Sequence, residues 1–167
     1  LVRFETDFVE WYDKFYNAVR EGGSLEEIAR MRDEMVYAIR HGLFDIVKLQ
    51  TLAVLVMVVF APAIFDKLGI SGLYLPLFYV DAVAASLQVA LLAVMNVFFY
   101  LDRRRAVLAV VTLLTVLNFG LSVLSLRLGA PFYGYGFALA LLVTLLVALL
   151  VLERKISRLE YETFMLQ

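Results

Sequence analysis

Four long apolar runs, at residues 43–65, 73–101, 106–126 and 132–152, dominate the chain and narrow its possible folds to very few. Each reaches the about 20 residues that carry a helix across about 30 Å of hydrocarbon. Lipid offers a bare backbone no hydrogen-bond partner, so a spanning segment must be a helix or a strand of a closed barrel. No alternating strand pattern is present, and helices follow. The connections at 66–72, 102–105 and 127–131 are short, which makes sequential helices antiparallel neighbours. The fold class read from the sequence is therefore an all-α membrane protein. It has four transmembrane helices, an N-terminal amphipathic helical hairpin and a C-terminal helical tail.

Composition agrees. Apolar residues make up 63% of the 167 and mean hydropathy is +0.85, against about 45–50% apolar in an ordinary soluble domain. A soluble fold of this size leaves too much surface in water to hide so many apolar side chains. Soluble enzymes and disordered linkers are excluded. The net charge of −1 gives no field that would draw nucleic acid, so none is expected as a partner. With no cysteine and the single His41, the chain offers no disulfide, thiolate or histidine cluster. No cofactor, metal site or catalytic residue is expected, and a membrane enzyme finds no support in the sequence.

Residues 1–42 read as two helices on one side of the membrane. Phe4, Phe8, Trp11, Phe15 and Val19 recur at helical steps, Gly22 and Gly23 break the stripe, and Ser24 with Glu27 forms a capping box. A second stripe runs through Leu25, Ile28, Met31, Met35 and Ala38, and the spacing predicts its end at His41 and Gly42. The hairpin carries six basic and nine acidic residues. An anchor lying on anionic lipid should be basic on its polar face. Phe8, Trp11 and Phe15 are therefore read as a docking stripe for protein, with coverage of the bundle's end as the plainer alternative. The segment 153–167 reads as a charged tail that prolongs the fourth helix. The chain starts at Leu1 with no signal peptide after it, and is expected to be a piece of something longer.

Positive charge orients the helices. Arg40, Lys48, Arg103, Arg104, Arg105, Arg154, Lys155 and Arg158 fall on one side, with only Lys67 and Arg127 opposite. Both termini are thus expected in the cytoplasm, and the arginine run doubles as a contact for anionic membrane lipids. Aromatic residues gather at headgroup level, at Tyr74, Phe78 and Tyr79, at Phe98, Phe99 and Tyr100, and at Phe132, Tyr133 and Tyr135.

Two polar stripes interrupt the apolar runs. Thr112, Thr115, Asn118, Ser122 and Ser125 step by three and four and share one face of the third segment. Asp81, Gln88 and Asn96 share a face of the second. Such faces can line a hydrated path for polar cargo. They can equally hydrogen-bond adjacent helices and permit close packing. Asp81 belongs to the path on the first reading and to the outer interface on the second. The sequence Gly134-Tyr135-Gly136 is read as a flexible or close-packed start of the fourth helix rather than as an ion filter.

Four stretches together resemble a known family. They are Arg3-Phe4-Glu5-Thr6-Asp7-Phe8, Tyr100-Leu101-Asp102-Arg103-Arg104, Phe132-Tyr133-Gly134-Tyr135-Gly136-Phe137-Ala138 and Leu159-Glu160-Tyr161-Glu162-Thr163-Phe164-Met165. Their order and spacing resemble the C-terminal part of the PelG family, inner-membrane transporters of bacterial Pel exopolysaccharide systems. The resemblance covers the whole chain and about the last third of the family's length. That family is similar to the polysaccharide-transporter branch of the flippase superfamily. The resemblance implies a parent with around a dozen helices, a hexosamine-rich exopolysaccharide as cargo, and Pel synthase-complex membrane proteins as partners. The expected function is export of a hydrophilic polymer across the bacterial inner membrane, jointly with the remainder of the parent transporter. Two alternatives are a membrane scaffold subunit of the synthase complex and a flippase for lipid-linked oligosaccharides.

Overall fold

The computed structural model describes residues 2–156, side chains at 2–5, 7, 8 and 25 excepted. Five α-helices follow one another, α1 (Val2–Arg20), α2 (Leu25–Leu68), α3 (Leu75–Tyr100), α4 (Arg104–Leu128) and α5 (Tyr135–Ile156). Single 3-10 turns at Gly72–Tyr74 and Ala130–Phe132 precede α3 and α5. No strand occurs among the described residues. Four helical stretches are long and apolar enough to cross a membrane, Glu26–Leu68, Gly72–Tyr100, Arg104–Leu128 and Ala130–Ile156.

Local signals set the helix ends. Ser24 caps α2, its Oγ accepting from the Glu27 N–H at 3.2 Å and its carbonyl from the Ile28 N–H at 3.0 Å. At the far end Gly69 turns left-handed with φ 68°. The Ile70 N–H then reaches the Phe65 carbonyl at 2.8 Å and the Gly69 N–H the Asp66 carbonyl at 3.1 Å, closing the last turn. The same device ends α3 with an aspartate in the glycine position. Asp102 has φ 50°, and the Arg103 N–H donates to the Phe98 carbonyl at 2.8 Å. The Asp102 carboxylate accepts from Arg104 Nε at 2.8 Å, tying the turn to the first residue of α4.

One expected boundary is absent. Gly42 does not end the second hairpin helix, because α2 continues through it as one 44-residue helix. A glycine inside a helix costs only about 1 kcal/mol relative to alanine, and side chains bridge the position. Tyr37 stacks on His41 at 5.5 Å, and His41 Nε2 meets an Asp45 carboxylate oxygen at 3.6 Å, two successive four-residue steps across Gly42. Pro62 also lies within α2 without ending it.

The chain divides into two compact units, one of Leu1–Ile46 with Leu152–Gln167 and the other of Val47–Val151. In the first, Phe15, Ile28, Met35, Ile39, Ile46 and Leu152 are buried, and Arg40 pairs with Glu153 at 3.8 Å. The hairpin and the end of α5 therefore sit together. Helix continues along α5 as far as Ile156; the rest of the tail expected there, 157–167, lies outside the described residues.

In the second unit α3 and α5 supply most of the buried side chains, and Val107, Val110 and Ser125 of α4 add to them. Gly136, Ala140, Thr144 and Ala148 recur every fourth residue and are all buried. Lipid gives helices no hydrophobic drive to associate, so small residues that let backbones approach carry the packing. Gly136 is the extreme case, because a Cβ there would stand 2.5 Å from the Leu121 carbonyl oxygen of α4. From 47 to 68, α2 buries only Ala61, while Leu49 and Val59 are 68% and 69% exposed, a surface suited to hydrocarbon.

Candidate transport path

The α4 stripe grades from open to covered along the helix. Thr112 and Thr115 are exposed, Asn118 and Ser122 half-buried, and Ser125 buried. Every hydrogen bond these five side chains make among the described residues stays inside α4. Thr115 Oγ1 donates to the Val111 carbonyl at 2.9 Å, Ser122 Oγ to Asn118 Oδ1 at 3.0 Å, and Ser125 Oγ to the Ser122 carbonyl at 2.9 Å. Serine and threonine bond back to their own helix in this way because the preceding turn's carbonyl lies within reach. Thr51 and Ser86 do likewise on α2 and α3. Two groups of the stripe remain unpaired among the described residues, the Thr112 hydroxyl and the Asn118 amide NH2. The stripe is thus not spent on bonds to neighbouring helices here.

On α3, Asp81 and Gln88 are exposed and Asn96 is half-buried with a polar or ionic partner of its own. Asp81 lies six residues into the helix, about 9 Å from its start at 1.5 Å per residue. Its Oδ1 comes to 3.2 Å from the point a Cβ on Gly134 would occupy. Gly134, with φ 85°, carries the chain into α5. Asp81 therefore stands against the first turn of α5, near the loop ends of both helices.

The expected docking stripe on α1 is only partly available. Phe15 is fully buried in its own unit, with its ring edge-on to Tyr16 at 5.2 Å, so it does not present a docking surface. The second hairpin stripe contributes Ile28, Met35 and Ile39 to the buried side chains of the same unit. Trp11 is half-buried, with Lys14 Nζ 4.2 Å above its ring. The Phe8 side chain lies outside the described residues.

Sequence reasoning missed Thr144. It is fully buried in α5, and its Oγ1 has no hydrogen-bond partner, although a carbonyl one turn back is the usual one. The four-residue spacing from Gly136 through Ala140 to Ala148 was the available signal. Among the described residues no group of three His, Asp or Glu side chains is placed to hold a metal ion.

Fold and polar faces together define a helical membrane protein with several spans, one of which carries a polar stripe whose bonds are internal. The profile of the PelG family, described as "Putative exopolysaccharide Exporter (EPS-E)", matches residues 1–164, and the chain belongs to that family. Searches of curated proteins and of solved structures returned no match. The family is one of exporters rather than enzymes, and its cargo class is exopolysaccharide.

Proposed function

We propose that this chain is the C-terminal, four-span portion of an inner-membrane exporter that moves a Pel-like, hexosamine-rich polymer. In this reading both termini and the run from Arg103 to Arg105 face the cytoplasm. The observation that carries the proposal is the α4 stripe, whose Asn118 NH2 and Thr112 hydroxyl are unpaired among the described residues, on a helix of membrane length. Exposed polar groups at membrane depth need water, cargo or another helix. A neutral or weakly charged glycan needs many weak, exchangeable hydrogen bonds, so that it is held without being trapped. Hydroxyls already bonded to their own backbone, as at Thr115, still accept one more bond. Asp81, Gln88, Asn96, Thr112, Thr115, Asn118 and Ser122 are proposed to line the path, with Ser125 closing its covered end.

The remainder of the parent transporter would supply the opposing wall. Rocking of two helical lobes suits a cargo that fits between them; a growing polymer is better served by a continuous channel-like state. Trp11 is proposed as the contact for Pel synthase-complex membrane proteins. The test is Asn118→Leu in the parent protein, a substitution of similar volume that lipid tolerates. Secretion should fall while protein level and thermal stability hold. Normal secretion, or loss through degradation alone, would assign the stripe to packing.

A further inference from the structure

A concave feature lies where the chain turns between spans. Tyr74, Pro76 and Leu77 at the start of α3 and Pro131, Tyr133 and Tyr135 at the start of α5 line a cleft of about 620 Å³. Pockets for small ligands run about 300–1,000 Å³. The three tyrosines are 59%, 42% and 46% exposed, and their hydroxyls form no hydrogen bond among the described residues. Asp81 stands one turn beyond Leu77 on the same face of α3. Its carboxylate lies against Gly134, the residue between Tyr133 and Tyr135, and forms no ion pair or hydrogen bond among the described residues.

We infer that this cleft is a glycan-binding subsite, an inference that rests on the export reading above. A pyranose ring presents a face of C–H groups that stacks on an aromatic ring, and an edge of hydroxyl or amine donors that seeks acceptors. Tyrosine supplies the ring and a polar tip together, and Asp81 supplies an acceptor-only carboxylate. The tyrosines of the cleft and the Asp81 carboxylate beside Gly134 thus offer both halves of sugar recognition close together. Two prolines in its walls restrict the backbone and reduce the ordering that binding must impose. The headgroup of an anionic phospholipid is the poorer occupant, because its net negative charge would meet the Asp81 carboxylate. An acyl chain gains nothing from three hydroxyls. In the proposed orientation the cleft opens on the outer face, where the polymer leaves the protein.

The test uses the full-length exporter in phosphatidylcholine nanodiscs with N-acetylated chitotetraose as the probe, binding read by saturation-transfer NMR, and polymer secretion measured in cells alongside. Wild type should bind, and Tyr133→Leu with Tyr135→Leu should weaken binding about tenfold. Tyr74→Leu, on a separate element, guards against a folding defect in the double variant and should also weaken binding. Tyr135→Phe keeps the ring and should bind nearly as wild type does. Absence of wild-type binding overturns the inference, as do leucine variants that bind like wild type. Loss of the signal to added phosphatidylglycerol overturns it too, in favour of a lipid site. If secretion depends on the protein while the leucine variants bind and secrete normally, the cleft proposal fails and the export reading stands. If secretion does not depend on the protein, the export reading itself fails.

Discussion

Gly136→Ala is the substitution whose effect the structure fixes most closely. The added Cβ would stand 2.5 Å from the Leu121 carbonyl oxygen, 2.6 Å from its carbon and 2.7 Å from the Ser122 nitrogen. All three are backbone atoms, so no side chain can swing aside. Restoring ordinary contact at 3.4 Å requires α4 to recede by about 0.9 Å. Overpacking of this kind costs about 1–3 kcal/mol, because close-packed interiors transmit strain rather than absorb it. Gly120→Ala is the matched control, since nothing lies within 4 Å of a Cβ there. It should keep or gain stability, by up to about 1 kcal/mol from helix propensity. Equilibrium unfolding in mixed micelles reads both variants. Gly136→Ala should lose about 1–3 kcal/mol relative to Gly120→Ala, and secretion should drop with it because Ser122 moves with the displaced backbone. Equal stability of the two variants would refute close backbone contact as the basis of α4–α5 packing.

Thr144→Val should leave stability unchanged or raise it by about 1 kcal/mol, since the hydroxyl it removes is buried without a partner. A loss in the same unfolding assay would reveal a partner for that hydroxyl. Single cysteines at Ser71, Asp102 and Ala130 report orientation without background, as the chain has none. An impermeant thiol reagent on whole cells should label positions 71 and 130 and spare 102; the reverse pattern would invert the proposed topology.

The spans were legible because lipid removes every alternative to a paired backbone, so long apolar runs admit one reading. Ser24 and Gly22 acted locally and were equally plain. Gly42 was not, because a glycine marks a helix end only when nothing bridges it, and the ladder from Tyr37 through His41 to Asp45 does. Phe15 illustrates a second limit. An aromatic stripe announces that a face will be covered, but not by what, and here the covering residues come from the same chain. The polar stripe on α4 was visible from its spacing. That three of its hydroxyls bond within the helix, leaving the Asn118 NH2 and the Thr112 hydroxyl unpaired among the described residues, depends on rotamers that spacing does not encode. The Tyr74, Tyr133 and Tyr135 cleft joins residues about sixty positions apart, and only the return of the chain through α4, which sets the starts of α3 and α5 side by side, brings them together.

Whether the α4 stripe lines the cargo path is best tested by Asn118→Cys in the full-length exporter, labelled with an impermeant thiol reagent with polymer synthesis on and off. A water-filled path should admit the reagent when synthesis is off, and polymer occupying the path should block it when synthesis is on. A cysteine that stays unlabelled in both states, or labels equally in both, would contradict a cargo path along this face.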